Sequence, residues 1–462
     1  RTVLVPLMVL CSLKARAANP RGVDLHELFV TPPAQERNYF PVRSGLNRLF
    51  LALDTMGRAL DKLVPGFVRR RALKKAEAWV VQRLNGDGGL GAIFPAMVNA
   101  HEMLGELGYA DDHPARQQTK RALRLLIVER ENEAYCQPCV SPIWDTGLSV
   151  LALQAAERNG NGASVRRALD WLATKQLLDE RGDWAEKRPN LRGGGWAFQF
   201  FNDHYPDIDD TPVVVWAMLQ SADPRYAHSL ERAAEWLVGM QSSNGGWASF
   251  DVDNCHYYLN EIPFADHGAL LDPPTSDVTA RCITFLAKFG RQRFARAVED
   301  GIAFLMSEQE PAGCWYGRWG TNYIYGTWSV LSALEAAQMS PDAVCVRRAV
   351  HWLKSVQRPD GGWGESNYSY YDSGYAGRLD KSTSFQTAWA VLALIAAGAG
   401  ASEVCRRGVD YLVEHQAQDG FWDEADFTAP GFPRVFYLKY HGYTQYFPLW
   451  AIARYRNDID GT

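Results

Sequence analysis

No stretch of the 462 residues stays apolar for the ~18 positions that a membrane-spanning helix needs, so no such helix is expected. Positive charge is not in excess: 48 Lys and Arg stand against 53 Asp and Glu, a formal net of −5, with a pI near 6.1. A nucleic-acid partner needs a basic face, so that class is set aside. Cysteine is sparse, eight in all, with no paired framework, and free thiols in a reducing compartment are expected. The one CxxC, Cys136 to Cys139 in "CQPC", has no second pair after it. Neither a metal nor a cofactor is expected.

Aromatics are plentiful: 16 Trp, 20 Tyr and 20 Phe. The length suggests two to four domains at ~100–200 residues each and can bury a sizeable core. The opening segment "RTVLVPLMVLCSLKARAANP" has the layout of a secretory leader, with one basic residue, an apolar stretch and then "ARA". It opens on Arg rather than Met, so a buried helix within a domain is the preferred reading.

One pattern recurs: a basic residue, small or apolar residues, an aromatic, an aliphatic, then Gln, then Gly-x-Trp. It runs as "RALDWLATKQLLDERGDW" from Arg167, "RAAEWLVGMQSSNGGW" from Arg232 and "RAVHWLKSVQRPDGGW" from Arg348. Looser copies start at Gly301 and Arg407, and a degraded one at Lys75 has Leu90 in place of Trp. The glutamines are Gln82, Gln176, Gln241, Gln309, Gln357 and Gln416, irregularly spaced, so the unit is a helix and turn with variable insertions. Apolar residues at helical spacing lead to a Gly-containing stop. The Trp packs back over that end and the Gln amide satisfies free backbone groups there. Between the copies lie further helical runs such as "DTGLSVLALQAAE" and "TSFQTAWAVLALIAAG". Alternating helices of this kind predict an all-α fold, an α/α barrel with inner and outer rings. Most of the repeat tryptophans are read as structural.

The stretch "HYPDIDDTPVVVWAML" sets Asp207, Asp209 and Asp210 against an apolar run. Thr211 or Asp210 is expected to cap the helix that follows, and Pro212 to take its first position. The helix N-terminus favours an ionised neighbour, and Asp210 is the natural candidate. Crowding then lets one of the other carboxyls keep its proton near neutrality. A buried, protonated Asp among apolar walls is a general acid. A capping box or a calcium loop would use the same residue types.

The repeats resemble the QW motifs of triterpene cyclases, and "DIDD" resembles the DxDD acid motif of class II terpene cyclases. "SPIWDTG", "GDWAEKRPNL", "MQSSNGGWASFDVDN", "DPPTSDVTA", "GRWGTNYIYGT" and "GFPRVFYLKYHGY" follow in the order found in squalene-hopene cyclases. The resemblance covers essentially the whole chain. Family members begin well upstream of Arg1, so it implies an N-terminally shortened chain. Residues 1–135 would be part of a second α/α barrel with a membrane-facing helix, and 136–462 the catalytic α/α barrel carrying DIDD.

The resemblance makes Asp209 the proton donor to a terminal alkene, with Asp207 and Asp210 tuning it. Asp277 matches a carboxylate that helps arrange the acid and its water. Arg281 falls where some members carry a His that hydrogen-bonds the donor. An Arg can hold the acid but cannot relay a proton. Carbocations need a dry, aromatic lining, because water would trap them. By position the resemblance points to Trp144 and Trp319 for shaping the polyene, and to Phe198 and Phe432 as ring faces along the route. Tyr325, Phe436, Tyr440 and Tyr443 complete that lining with Phe250, which stands where a Tyr is familiar. Phe94 and Pro95 match the end where the last cation is quenched, and members can place a Gln at Phe94.

The implied substrate is squalene or a similar polyprenoid, cyclised to pentacyclic hopene or hopanol. "LNRLFLALDTMGRALDKLVPGFVRRR", from Leu46, suits an interfacial helix ending in a basic cluster, with an ordinary barrel helix as the other reading. The family implies monotopic docking at the cytoplasmic face of a bacterial membrane, and a homodimer. A carbohydrate-active α/α barrel would also pair carboxylates with aromatics, but in an open polar cleft. A catalytically dead helical scaffold needs no protonated Asp. A diterpenyl diphosphate cyclase would call for a diphosphate and magnesium cluster, and none is convincing here. An oxidosqualene cyclase fits less well, because the extra acid in DIDD goes with unactivated alkenes.

Overall fold

The computed structural model describes residues 1–16, 18–37, 39–40, 42–157, 162–265 and 270–460, apart from the side chain at 460. These fall into two compact units. The first comprises Arg1–Val140 with Gln199–Asn202 and His256–Leu271. The second comprises Ser141–Phe198, Asp203–Cys255 and Asp272–Thr462.

The first unit holds α1 (Leu4–Leu13), α2 (Gly45–Asp61), α3 (Gly66–Gln82), α4 (Phe94–Glu106) and α5 (Pro114–Leu125). It also holds two short antiparallel ladders, β1 (Leu84–Asn85) with β2 (Gly89–Leu90) and β3 (Ile127–Glu129) with β4 (Ala134–Cys136). Helix α1 is buried on one face only. Val9 packs with Val80, Ala96 and Met103, while Leu4, Leu7 and Met8 are exposed. Helix α2 starts in a capping box, with the Ser44 hydroxyl accepting from the Asn47 N–H and the Asn47 side chain returning the contact. Its Leu46, Leu49, Leu53, Met56 and Leu60 are exposed.

The second unit holds α6 (Pro142–Ala156), α7 (Ala163–Ala173), α8 (Asp210–Gln220), α9 (Ala227–Gly239), α10 (Ser276–Gly290) and α11 (Ala295–Ser307). It continues through α12 (Tyr323–Ala336), α13 (Val344–Ser355), α14 (Ser384–Ala396), α15 (Glu403–Glu414) and α16 (Tyr443–Asp460). The hairpin of β5 (Ala429–Phe432) and β6 (Phe436–Leu438) precedes α16. Helices α6, α8, α10, α12, α14 and α16 pack in a closed circuit, each on the next and α16 back on α6. Helices α7, α9, α11, α13 and α15 pack outside that ring. This is the α/α barrel that the alternating runs predict. The inner α14, "SFQTAWAVLALIA", is buried on every side. The outer α15, "EVCRRGVDYLVE", buries Cys405, Gly408, Val409, Tyr411 and Leu412, a single stripe at helical spacing.

The repeats tie outer helices to inner ones. Trp247, Trp315, Trp363 and Trp422 donate their indole N–H to the carbonyls of Leu237, Leu305, Leu353 and Leu412 at 2.7–2.9 Å. The backbone N–H groups of Trp247, Trp315 and Trp363 donate to the hydroxyls of Thr279, Thr327 and Thr387 near the starts of α10, α12 and α14. Four of the glutamines span a gap: Gln309 Nε2 donates to the Gly313 and Cys345 carbonyls, both at 2.9 Å. Gln176, Gln241 and Gln357 make the equivalent pairs.

The copy from Arg167 needs a correction. Its stapling tryptophan is Trp196, not Trp184, because Trp196 Nε1 donates to Leu172 O at 2.7 Å and Trp196 N donates to the Thr211 hydroxyl at 3.0 Å. Residues 177–193 are an insertion between the glutamine and its true Gly-Trp.

Candidate active site

That last hydrogen bond positions the three aspartates. Thr211 Oγ1 accepts from Trp196 N and donates to the Asp207 carbonyl at 2.7 Å, while Asp207 N donates to Trp196 O at 2.7 Å. Ile208 N donates to Ser249 O at 2.8 Å. The segment is thereby locked from both sides as it enters α8. Asp209, in helical conformation, is the N-cap residue, and no side chain caps the helix. The expected caps at Thr211 and Asp210 are therefore not made, because the Thr211 hydroxyl is committed to the repeat. Pro212 occupies the third helical position, not the first; its missing N–H is one of the unbonded set there too.

Asp207, Asp209, Asp210 and Asp277 are 6%, 6%, 1% and 0% exposed, and Arg281 is 9% exposed. Arg281, on α10, donates from Nε to Asp209 Oδ1 at 2.6 Å and from Nη2 to Asp209 Oδ2 at 3.1 Å. Its Nη1 donates to Ser329 Oγ at 3.0 Å, and Nη2 also meets the Tyr325 hydroxyl, both on α12. The guanidinium lies 5.2 Å from the Trp144 ring and 5.1 Å from the Tyr325 ring. Tyr325 packs on Trp389 of α14 at 4.8 Å. Trp144, on α6, donates to the Tyr443 hydroxyl of α16 at 3.2 Å. All six inner helices thus contribute, each through its first two turns.

Burial raises the carboxyl of Asp209, against the opposing pull of the Arg281 charge and hydrogen bonds. Burial, and then the neighbouring aspartates, push Asp207 and Asp210 well above the usual carboxylate range. This corrects the expectation for Asp210 as the ionised member. Its Oδ1 is buried without a hydrogen-bond partner, whereas both oxygens of Asp209 are held by Arg281. Asp207 Oδ1 accepts from the Asp209 N–H at 2.7 Å.

Asp277 does not hydrogen-bond the other acids. It accepts from the Arg318 and Trp319 N–H groups at 2.9 and 2.8 Å and from the Thr275 hydroxyl at 2.6 Å. It fixes the loop that presents Trp319, whose indole donates to Ser249 Oγ at 2.8 Å. Phe198 meets Tyr440 edge to face at 6.2 Å, and Tyr440 stacks on Tyr443 at 4.7 Å. Phe432 and Phe436 pair at 5.2 Å on the β5–β6 hairpin, which Arg318 reaches through the Gly431 carbonyl. Phe250 is held through its N–H by Asp272, a half-buried carboxyl raised to about 6 by desolvation. Phe94 and Pro95 open α4 in the first unit, and both are exposed.

Ser329 and Asp272 were not singled out from the sequence; nor was Asp145, which accepts from Ser141 Oγ at 2.6 Å and from the Tyr446 hydroxyl at 3.0 Å. For Ser329 the available signal was its place one turn after Tyr325.

Two family models cover the chain: the squalene-hopene cyclase N-terminal domain on residues 1–132 and the C-terminal domain on residues 140–457. This chain belongs to the squalene-hopene cyclase family. It is 51% identical to a probable squalene-hopene cyclase of Sinorhizobium fredii, over 99% of this chain and 72% of that protein. It is 42% identical to the squalene-hopene cyclase of Alicyclobacillus acidocaldarius, over 100% of this chain and 73% of that one. Among solved structures, an ent-copalyl diphosphate synthase from Streptomyces platensis matches at a TM-score of 0.53 and 18% identity. That match covers 79% of this chain and 59% of the other, and speaks to the fold alone. Among the described residues no helix is long and apolar enough to cross a membrane.

Proposed function

We propose that this cyclase protonates the terminal alkene of squalene with Asp209 and closes the polyene through carbocations to hopene, with hopanol as the water-quenched product. The observation that carries the reading is the buried acid cluster: carboxyls crowded inside an α/α barrel, with one guanidinium gripping Asp209. An alkene is a poor base, so the acid must be both protonated and strong. Burial and the flanking carboxyls Asp207 and Asp210 keep protons in the cluster. Arg281 counters that trend at Asp209, stabilising the carboxylate left after transfer and so strengthening the acid.

The aromatic neighbours suit the next steps. Phe198, Tyr440 and Tyr443 form one continuous set of rings, and Trp319 and Trp144 are each fixed by an indole hydrogen bond. Each ring face is worth roughly 0.5–2 kcal/mol to a passing cation. Phe432 is proposed as a further face. Asp277 acts as a positioning residue for Trp319.

The substrate is a lipid, and the exposed apolar row of α2 is proposed as a surface that docks on a bilayer. The test is incubation of the protein with squalene in detergent, followed by gas chromatography of the neutral lipids. Hopene with some hopanol is expected; unchanged squalene would contradict the reading.

A further inference from the structure

Arg318 stands in the loop between α11 and α12, and its side chain joins two pieces of wall that lie far apart in sequence. Its guanidinium lies 4.2 Å from the centre of the Trp319 ring. From there Nη2 donates to the Gly431 carbonyl at 3.2 Å, across 113 positions. The backbone beneath is fixed, because Asp277 Oδ2 accepts from the N–H groups of both Arg318 and Trp319. Arg318 makes no ion pair among the described residues, and its Nη1 is buried without a hydrogen-bond partner. A part-buried guanidinium in that state is destabilising unless the contacts it does make outweigh the cost.

Gly431 is a particular place to be held. In the β5–β6 ladder Pro430 pairs with Tyr437 and Phe432 with Phe436, so Gly431 is an extra residue, a bulge. A bulge leaves its backbone out of the ladder and re-aims the neighbouring side chain. Arg318 satisfies the bulged carbonyl, and the re-aimed neighbour is Phe432. The bulge is closely packed, since a Cβ at Gly431 would run into the Phe436 ring.

Other groups hold the rest of the hairpin. Thr321 N donates to Thr428 O at 2.8 Å, just before β5, and the Tyr371 hydroxyl donates to Arg434 O at the turn. Loss of the Arg318 contact would therefore free the bulge beside Phe432 and leave the hairpin in place.

We propose that Arg318 is a positioning residue that clamps Phe432 at a set distance from Trp319, and that this clamp decides how many rings close. The inference rests on the cyclisation reading, with Trp319 shaping the polyene and Phe432 as a ring face for its cations. A planar guanidinium can lie flat on an indole while its edge donates to a carbonyl. A cation held away from its ring face closes no further ring. It loses a proton to water, or takes up water and then loses a proton, and leaves as a product of fewer rings.

The ratio of partly cyclised to pentacyclic product tests this, by gas chromatography after incubation with squalene in detergent. Unfolded protein makes no product, so the ratio reports on folded molecules alone. Arg318→Met keeps an unbranched chain and removes charge and donors; the ratio is expected to rise by about three- to tenfold. Arg318→Lys keeps the charge but cannot both stack and bridge, so its ratio is expected to rise as well. It also carries the test should Arg318→Met yield no product. A wild-type ratio in Arg318→Lys would overturn the clamp, and so would one in Arg318→Met. In a Phe432→Ala background, Arg318→Met is expected to add little further change, because the ring it positions is gone. A full, additive shift there would show that Arg318 does not act through Phe432. No cyclic product from the unaltered protein would instead overturn the cyclisation reading beneath the proposal.

Discussion

Arg281 holds Asp209 by two hydrogen bonds, of 2.6 and 3.1 Å, across 72 positions of sequence. The pair sets the strength of the acid. Activity requires Asp209 protonated, so the rate falls as pH rises through its pKa. Arg281 lowers that pKa, so Arg281→Gln should move the descending limb of the pH–rate profile to higher pH. The acid also weakens, and the plateau rate should drop by tenfold or more. A limb that moves to lower pH would reverse the assigned sign. Arg281→Lys should not restore the wild-type profile, because an ammonium lacks the planar fork that holds both Asp209 oxygens while reaching Ser329.

Asp210 binds a proton more tightly in the folded chain than in the unfolded one, since burial and its neighbours raise it. Its stabilising contribution is full below the unfolded-state pKa and is lost as pH rises through the folded-state value. Asp210→Asn cannot ionise. Melting temperature followed from pH 5 to about pH 9 should decline less steeply for Asp210→Asn than for the wild type. Parallel declines over that range would mean that Asp210 is already ionised in the native state.

Gln309 bridges the Gly313 and Cys345 carbonyls. Gln309→Ala leaves both without this partner and should cost about 1–3 kcal/mol in denaturant unfolding. The product spectrum should not change, because the bridge lies between outer-ring elements. Altered products at unchanged stability would give the repeat glutamines a chemical role.

Phe198 stands against Tyr440, which stacks on Tyr443. Phe198→Ala removes one ring face. Complete cyclisation should fall by about 2–30-fold, the equivalent of ~0.5–2 kcal/mol, with partly cyclised products accumulating. A uniform loss of all products would point to folding instead.

The ring of helices was readable because the repeat is local. Gln241, Gly245 and Trp247 lie within a few residues, and the bonds from Gln241 to Gly245 and from the Trp247 indole to Leu237 close locally. Where an insertion separates Gln176 from Trp196, the pattern misled, and Trp184 took the wrong role. The acid cluster was visible because Asp207, Asp209 and Asp210 are adjacent. Its protonation order was not. That order depends on Arg281 and Ser329, brought in from other helices, and on the Thr211 hydroxyl being committed to Trp196 instead of capping α8. Asp145 escaped notice because Tyr446, its partner, is 301 positions away.

Asp209→Asn, compared with the wild type on squalene in detergent by gas chromatography, addresses the acid itself. An amide matches the carboxyl in shape and has no acidic proton to give. With a correctly folded variant, hopene and hopanol should fall below detection. Pentacyclic product at a rate near that of the wild type would contradict protonation by Asp209.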